Sequence, residues 1–151
     1  MKQQTKKIYP PTIFYTLVFL NMIVFLIFPT PYFSSYLIRL IGIIPVCIGI
    51  LLNLWTNQTL NKYHTTVKPD EIPSTLIMDG PFSLSRHPMY LGMELILFGI
   101  AIILGSLSCL ILPIVFLILI EKMFISYEEK TLQTWFSEEY TNYIKKVRKW
   151  I

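Results

Sequence analysis

Charge is the first thing this sequence lacks. Only 15% of its 151 residues are Asp, Glu, Lys or Arg, 54% are hydrophobic, and the mean hydropathy is +0.56. So few charges leave an ordinary globular surface unsolvated, which excludes a soluble domain of average composition. The absence is also organised: no Asp, Glu, Lys, Arg or His occurs from Ile8 to Ile38, from Leu40 to Asn61, or from Leu95 to Ile120. Uncharged apolar runs of about 20 residues are what a bilayer-spanning helix requires. The chain is therefore read as a single-domain integral membrane protein, all-α in class.

Cysteine is nearly absent too. Cys47 and Cys109 stand far apart in apolar runs, with neither CxxC nor metal-ligand spacing. No disulfide and no metal site are expected, and both thiols are assigned to the buried core. A net charge of +4 and a pI near 9.1 would suit nucleic acid. The basic residues do not cluster with interleaved aromatics, so no nucleic-acid partner is expected. They read instead as topology signals, since Lys and Arg collect on the cytoplasmic side.

What is present falls into order along the chain. Lys2, Lys6 and Lys7 precede an apolar run over 12–28, read as an uncleaved first span that ends at Pro29-Thr30-Pro31. A second span covers 36–60, with Arg39 near its start and an interfacial Trp55 near its end. Residues 61–88 form the longest polar loop, with a short strand-like segment Ser74-Thr75-Leu76-Ile77-Met78 before a Gly80-Pro81 turn. Apart from Glu94, Met89 to Ile120 is apolar and too long for one crossing; Gly105-Ser106 divides it into a hairpin of spans 89–104 and 107–125. Four spans place both termini and the 61–88 loop on one side. The two short loops opposite then carry no Lys or Arg, which makes the shared side cytoplasmic.

In the segment 126–151, Leu132, Phe136, Tyr140, Tyr143, Val147 and Ile151 recur at spacings of three or four. That period marks an amphipathic helix, or a broken pair of helices starting again at Ser137, laid on the membrane surface. Ser137 before Glu138 and Glu139 suits a helix start. The basic Lys145–Lys149 end suits anionic headgroups.

Two constellations carry chemistry. Pro88 fits the first position of a helix and puts His87 at its N-cap; His87, Tyr90 and Glu94 then share a face at i, i+3 and i+7. The helix start attracts anionic groups. The second constellation is Glu128-Glu129, at the level where the fourth span leaves the bilayer. Adjacent carboxylates alone are more often a solvated helix start than a site.

In combination they are specific. The segments Ser74-Thr75-Leu76-Ile77 to Gly80-Pro81-Phe82, Arg86-His87-Pro88-Met89-Tyr90-Leu91-Gly92, and Glu128-Glu129 through Leu132, Phe136, Tyr140, Tyr143, Val147 and Lys149-Trp150 closely resemble the isoprenylcysteine carboxyl methyltransferases and related phospholipid N-methyltransferases. The resemblance covers about residues 62–151. It implies S-adenosylmethionine-dependent methyl transfer to a membrane-embedded or lipophilic acceptor that is a carboxylate, an amine or a thiol, with the bilayer and a lipid-like substrate as partners. It also implies cofactor contacts from Ser74, Thr75, Leu76, Ile77, Phe82, His87, Pro88, Met89, Tyr90 and Glu128. Phe82 and Tyr90 suit an adenine ring or a sulfonium, and Glu128 suits ribose hydroxyls.

Carboxylate-methylating members carry an arginine four residues before the first glutamate, where this chain has Phe124. At Ser137 the family usually has glycine. A carboxylate acceptor needs no base, whereas an amine or thiol must lose a proton; Glu129, Glu94 and His64 are the candidate proton acceptors. Two other readings stand beside this one: a nicotinamide-binding membrane protein of sterol-reductase type, and a non-catalytic membrane scaffold. The compact chain suggests a prokaryotic inner membrane.

Overall fold

A computed structural model of the chain describes residues 9–31, 36–64 and 74–151, and it is helical throughout. The helices are α1 (Pro10–Ile27), α2 (Tyr36–Leu40), α3 (Ile43–Lys62), α4 (Pro88–Leu104), α5 (Ile111–Ile120) and α6 (Ser126–Lys146). A π-helical turn, Glu121–Ile125, joins α5 to α6. Three helical runs are long and apolar enough to cross a membrane: Pro10–Ile27, Tyr36–Lys62 and Leu107–Lys146. α4 is a shorter apolar helix. Outward-facing Phe19, Leu26, Leu37, Ile44, Leu51, Ile111 and Ile118 are exposed, a surface that needs lipid around it.

The helix ends follow from local chemistry. Pro10 and Pro88 open α1 and α4, where a missing N–H costs nothing. α4 ends at Gly105, whose φ of 66° closes the helix in the left-handed conformation, and the chain turns directly toward α5. Opposite that turn, the Thr30 N–H donates to Ser106 Oγ at 3.1 Å and the Ser108 hydroxyl donates to the Phe28 carbonyl at 2.8 Å. These bonds tie the end of α1 to the α4–α5 hairpin.

α4 is the central helix. On one side it meets α3 at glycines: a Cβ on Gly49 would sit 2.4 Å from the Gly92 carbonyl oxygen, and one on Gly42 2.6 Å from that of Gly99. Close backbone approach through small residues is the packing that apolar helices use in lipid. On the other side, Tyr90, Met93 and Leu97 pack with Phe14 and Leu17 of α1 and with Leu112, Phe116 and Ile120 of α5, continuing into Phe124 and Ile125.

Three expectations are corrected. Cys109 is buried but Cys47 is exposed, because α3 turns that face outward toward lipid rather than into the core. Ser74–Met78 forms no strand: among the described residues there is no neighbouring strand to pair with, and Leu76 instead packs on Tyr140 and Tyr143 of α6. The face of α6 that the spacing marks is accordingly turned toward the chain itself. Leu132, Phe136, Tyr140, Tyr143 and Val147 close over Leu76, and Ile151 alone of that set is left exposed.

α6 is the broken pair. Ser137 has φ 33° and ψ −100°, outside helical space, and the kink is braced by Gln133 Nε2 donating to the Ser137 carbonyl at 3.1 Å and the Thr141 hydroxyl donating to it at 2.8 Å. Positive φ on a serine stores about 1–3 kcal/mol, of which glycine removes most at an entropic cost of about 0.5–1. Ser137→Gly is expected to raise the thermal midpoint in detergent, corresponding to about 1 kcal/mol. A lowered midpoint would show that the serine side chain stabilises the kink.

Candidate active site

Three stretches converge where α4 begins: the turn before it, the start of α6, and the chain that follows α6. The returning chain is held by the backbone, with the Arg86 N–H donating to the Arg148 carbonyl at 3.1 Å and the Ser85 hydroxyl to the Lys149 carbonyl at 2.9 Å. Ser85 Oγ also accepts the His87 N–H at 3.2 Å. His87 stands at the N-cap position of α4, as the His-Pro pair leads one to expect, with its ring turned to the glutamates rather than to the helix N–H groups.

The two glutamates then divide the work. Glu128 accepts a hydrogen bond from the Tyr90 hydroxyl, and its second oxygen lies 3.4 Å from His87 Nδ1. The His87 and Tyr90 rings stack with centroids 5.9 Å apart, as their shared helix face requires. Glu129 is surrounded by basic side chains, with Arg86 Nη2 at 3.0 Å, His87 Nε2 at 3.4 Å and Lys149 Nζ at 3.5 Å. Lys149 also binds Glu121 at 2.7 Å, spanning the π-helical turn. Turns of this kind are frequent at functional sites because they re-aim the residues beyond them.

Burial and charge oppose each other here. Burial pulls the His87 pKa down, but its hydrogen bonds and charge interactions with Glu128 and Glu129 outweigh that, and the net direction is upward from 6.5. Burial pushes Glu129 up, but the His87 hydrogen bond and the charges of Arg86, His87 and Lys149 bring it below its ordinary 4.5. A raised histidine stabilises the fold fully below its unfolded value and loses that contribution as pH rises through the folded one; the lowered carboxylate does so above its unfolded value and loses it as pH falls. Stability from this cluster is therefore greatest between the ordinary values of 4.5 and 6.5. A plot of thermal midpoint against pH should fall on the alkaline side, and His87→Gln should flatten that limb. An unaltered alkaline limb in the variant would remove His87 from the account.

The rest of the wall is apolar. Leu76 and Ile77 are buried, and Phe82 is tied to α6 by the Tyr143 hydroxyl donating to the Phe82 carbonyl at 2.6 Å. Two polar atoms beside the cluster, Arg86 Nε and the Tyr140 hydroxyl oxygen, are buried without a well-formed hydrogen bond among the described residues, and the Arg86 guanidinium lies close enough to the Tyr140 hydroxyl to interact with it. Burial, with Glu129 nearby, pushes the Tyr140 hydroxyl up to about 12, so it is a neutral donor.

The structure thus brings His87, Tyr90, Glu128 and Glu129 into direct contact and joins Leu76 and Phe82 to them through α6. Ser74 and Thr75 are exposed, Pro88 is fully buried, and Met89 packs on the transmembrane core. His64 is exposed on the turn that ends α3, with φ 48°, and no contact joins it to the cluster among the described residues. Glu94 lies deeper on α4, and its Oε2 is buried without a partner among the described residues.

Sequence reasoning missed Glu121 and, although Lys149 is among the residues that carry the resemblance, the role of Lys149. Lys149 was one of a basic run assigned to headgroups, and nothing local shows that it turns back onto a glutamate 28 residues earlier.

Residues 37–139, more than half of the chain and including both constellations, match a protein family described as phospholipid methyltransferase. No curated protein matches the chain.

Proposed function

Because the chain belongs to the phospholipid methyltransferase family, we propose that it is a membrane methyltransferase that uses S-adenosylmethionine and methylates a lipophilic acceptor at a carboxylate, amine or thiol. The observation that carries the reading is the junction of the two motif halves: Glu128 is bonded to Tyr90 and lies against His87, across about forty residues of sequence.

The residues present fit such a cofactor. Glu128 is a carboxylate acceptor suited to ribose hydroxyls, and Phe82, Leu76 and Ile77 supply an apolar wall for a purine. Arg86 Nε and the Tyr140 hydroxyl are donors suited to a carboxylate, beside a helix start whose first N–H groups have no intrahelical acceptor. Ser74, Thr75, His87, Pro88, Met89 and Tyr90 complete the proposed contacts. Bound S-adenosylmethionine supplies an electrophilic methyl group on sulfur. The protein's part is to hold the acceptor in line with it and to exclude water, which alone accounts for a large share of such a rate enhancement.

Phe124 is buried in the transmembrane core, so the position where carboxylate-methylating relatives have an arginine carries no charge. That supports an amine or thiol over a carboxylate. The proposed topology has four spans, α1, α2 with α3, α4, and α5 with the π-helical turn. Both ends and the site then face the cytoplasm, where α6 and the 61–88 segment collect the basic residues.

Incubating the detergent-purified protein with methyl-labelled S-adenosylmethionine and a total lipid extract tests this. Label should enter the organic phase, and a Tyr90→Phe, Glu128→Gln double variant should leave it in the aqueous phase. Equal transfer by both proteins would contradict the assignment.

A further inference from the structure

Three residues in this chain are candidates to take a proton from an acceptor, and the structure separates them. Glu129 has both oxygens engaged, Oε1 by Arg86 and His87 and Oε2 by Lys149. A carboxylate whose charge is stabilised by Arg86, Lys149 and a hydrogen bond to His87 is a weak base. Glu128 likewise has one oxygen on Tyr90 and the other against His87. His64 is exposed on a turn, and among the described residues no contact ties it to the site.

Glu94 differs from all of these. It lies one turn of α4 below Tyr90, about 6 Å along the helix axis at 1.5 Å per residue. By helical period it belongs to the stripe Tyr90, Leu97 and Ala101, each of which is buried. α1 and α5, which both contact α4, present Phe14, Leu17, Phe116 and Ile120 to that stripe. None of these four offers a hydrogen bond; Asn21, further along the same face of α1, is a buried polar side chain in the bundle, and neither its side-chain polar atoms nor Glu94 Oε2 has a partner among the described residues. A carboxylate with an unmatched oxygen inside an apolar bundle costs stability, and such groups persist where they serve a substrate or proton path.

From this placement we infer that Glu94 is the proton acceptor for the methyl acceptor, so that the acceptor is one that must lose a proton, a protonated amine or a thiol whose chain lies among the helices. The inference rests on the methyltransferase reading above. In the step, the acceptor's N–H or S–H bond breaks and its electron pair stays on nitrogen or sulfur, while the proton forms an O–H bond on Glu94. The freed pair forms the new bond to the methyl carbon of the sulfonium donor as the carbon–sulfur bond breaks, leaving its electrons on the donor's sulfur. The proton on Glu94 passes to solvent when the product leaves. Tyr90 stands between the two sites, its hydroxyl held by Glu128 and its ring on the face that leads to Glu94.

The test uses the full-length protein in neutral maltoside micelles, with dodecylamine and dodecanethiol as acceptor probes and dodecanoate as the carboxylate control. S-adenosylhomocysteine affinity is measured first, because it does not depend on Glu94. It should be the same within about twofold in the wild type and in Glu94→Gln. Dodecylamine or dodecanethiol should bind the wild type, and Glu94→Gln should bind that probe about tenfold more weakly, the loss of one charge-assisted hydrogen bond. Its methylation should fall about 100-fold, with kcat affected more than KM, and Glu94→Asp should recover part of it. Acceptor affinity and turnover unchanged in Glu94→Gln would overturn the inference while leaving the methyltransferase reading intact. So would methylation of dodecanoate alone, or loss of S-adenosylhomocysteine affinity in step with acceptor affinity. A folded wild type that binds no S-adenosylhomocysteine would remove the reading on which it rests.

Discussion

Glu128→Gln is expected to weaken S-adenosylmethionine binding about 100-fold while leaving the protein folded. Glutamine keeps an acceptor for the Tyr90 hydroxyl, so the local packing of α4 on α6 survives. What it loses is the charge that, in the proposed site, would strengthen bonds from ribose hydroxyls, each worth about 1.5–3 kcal/mol when the acceptor is ionised. Two such bonds weakened by about half give the expected factor. Glu129→Gln should behave in the opposite way. It leaves Arg86, His87 and Lys149 without their shared counter-charge, so the thermal midpoint should drop by the equivalent of about 2 kcal/mol, with cofactor affinity changed mainly through that loss. Matching effects of the two substitutions would mean that adjacent carboxylates do not have separate tasks here.

The largest effect on folding is expected at the α3–α4 glycines. Gly49→Val introduces a Cβ 2.4 Å from the Gly92 carbonyl oxygen and 2.8 Å from Ile96 Cγ1. The first of these is backbone and cannot rotate away, so the helices must separate along a contact that runs from Gly42 and Gly99 down to the site. Overpacking of this kind costs about 3 kcal/mol or more, a large share of a small membrane domain's stability. Gly99→Val, 2.6 Å from both the Gly42 carbonyl oxygen and Val46 Cγ2, should do the same. Ile44→Ala on the exposed side of α3 is the control and should change little. The measurement is the monodisperse fraction after detergent extraction, followed by thermal unfolding. Wild-type behaviour of Gly49→Val would mean that α3 and α4 are not in close backbone contact.

Much of this was legible in the sequence because it is local. Uncharged runs marked the apolar helices, His87-Pro88 marked the start of α4, and Gly105 marked its end. The period of Tyr140 and Tyr143 marked the buried face of α6. The likeness of Glu128-Glu129 and Arg86-His87-Pro88-x-Tyr90 to one family placed both halves of the site. What stayed hidden is non-local. No spacing rule connects Lys149 to Glu121, or tells which of two adjacent glutamates faces three basic side chains. The exposure of Cys47 was misjudged because the burial rule for apolar residues inverts when the solvent is lipid. Ser74–Met78 has the composition of a strand, but pairing needs a second strand, and none is present among the described residues. Ser137 was read as a helix start, which it is, but only the backbone shows why a glycine there is the easier choice.

The measurement closest to the central claim is a parallel titration of S-adenosylmethionine and NADPH into the detergent-purified protein, followed by thermal stabilisation. Stabilisation by S-adenosylmethionine alone, lost in Glu128→Gln, is the predicted result. Stabilisation by NADPH alone would make the site a nicotinamide site, and stabilisation by neither in a folded, lipid-supplemented protein would make the motif a structural one; either would contradict the account.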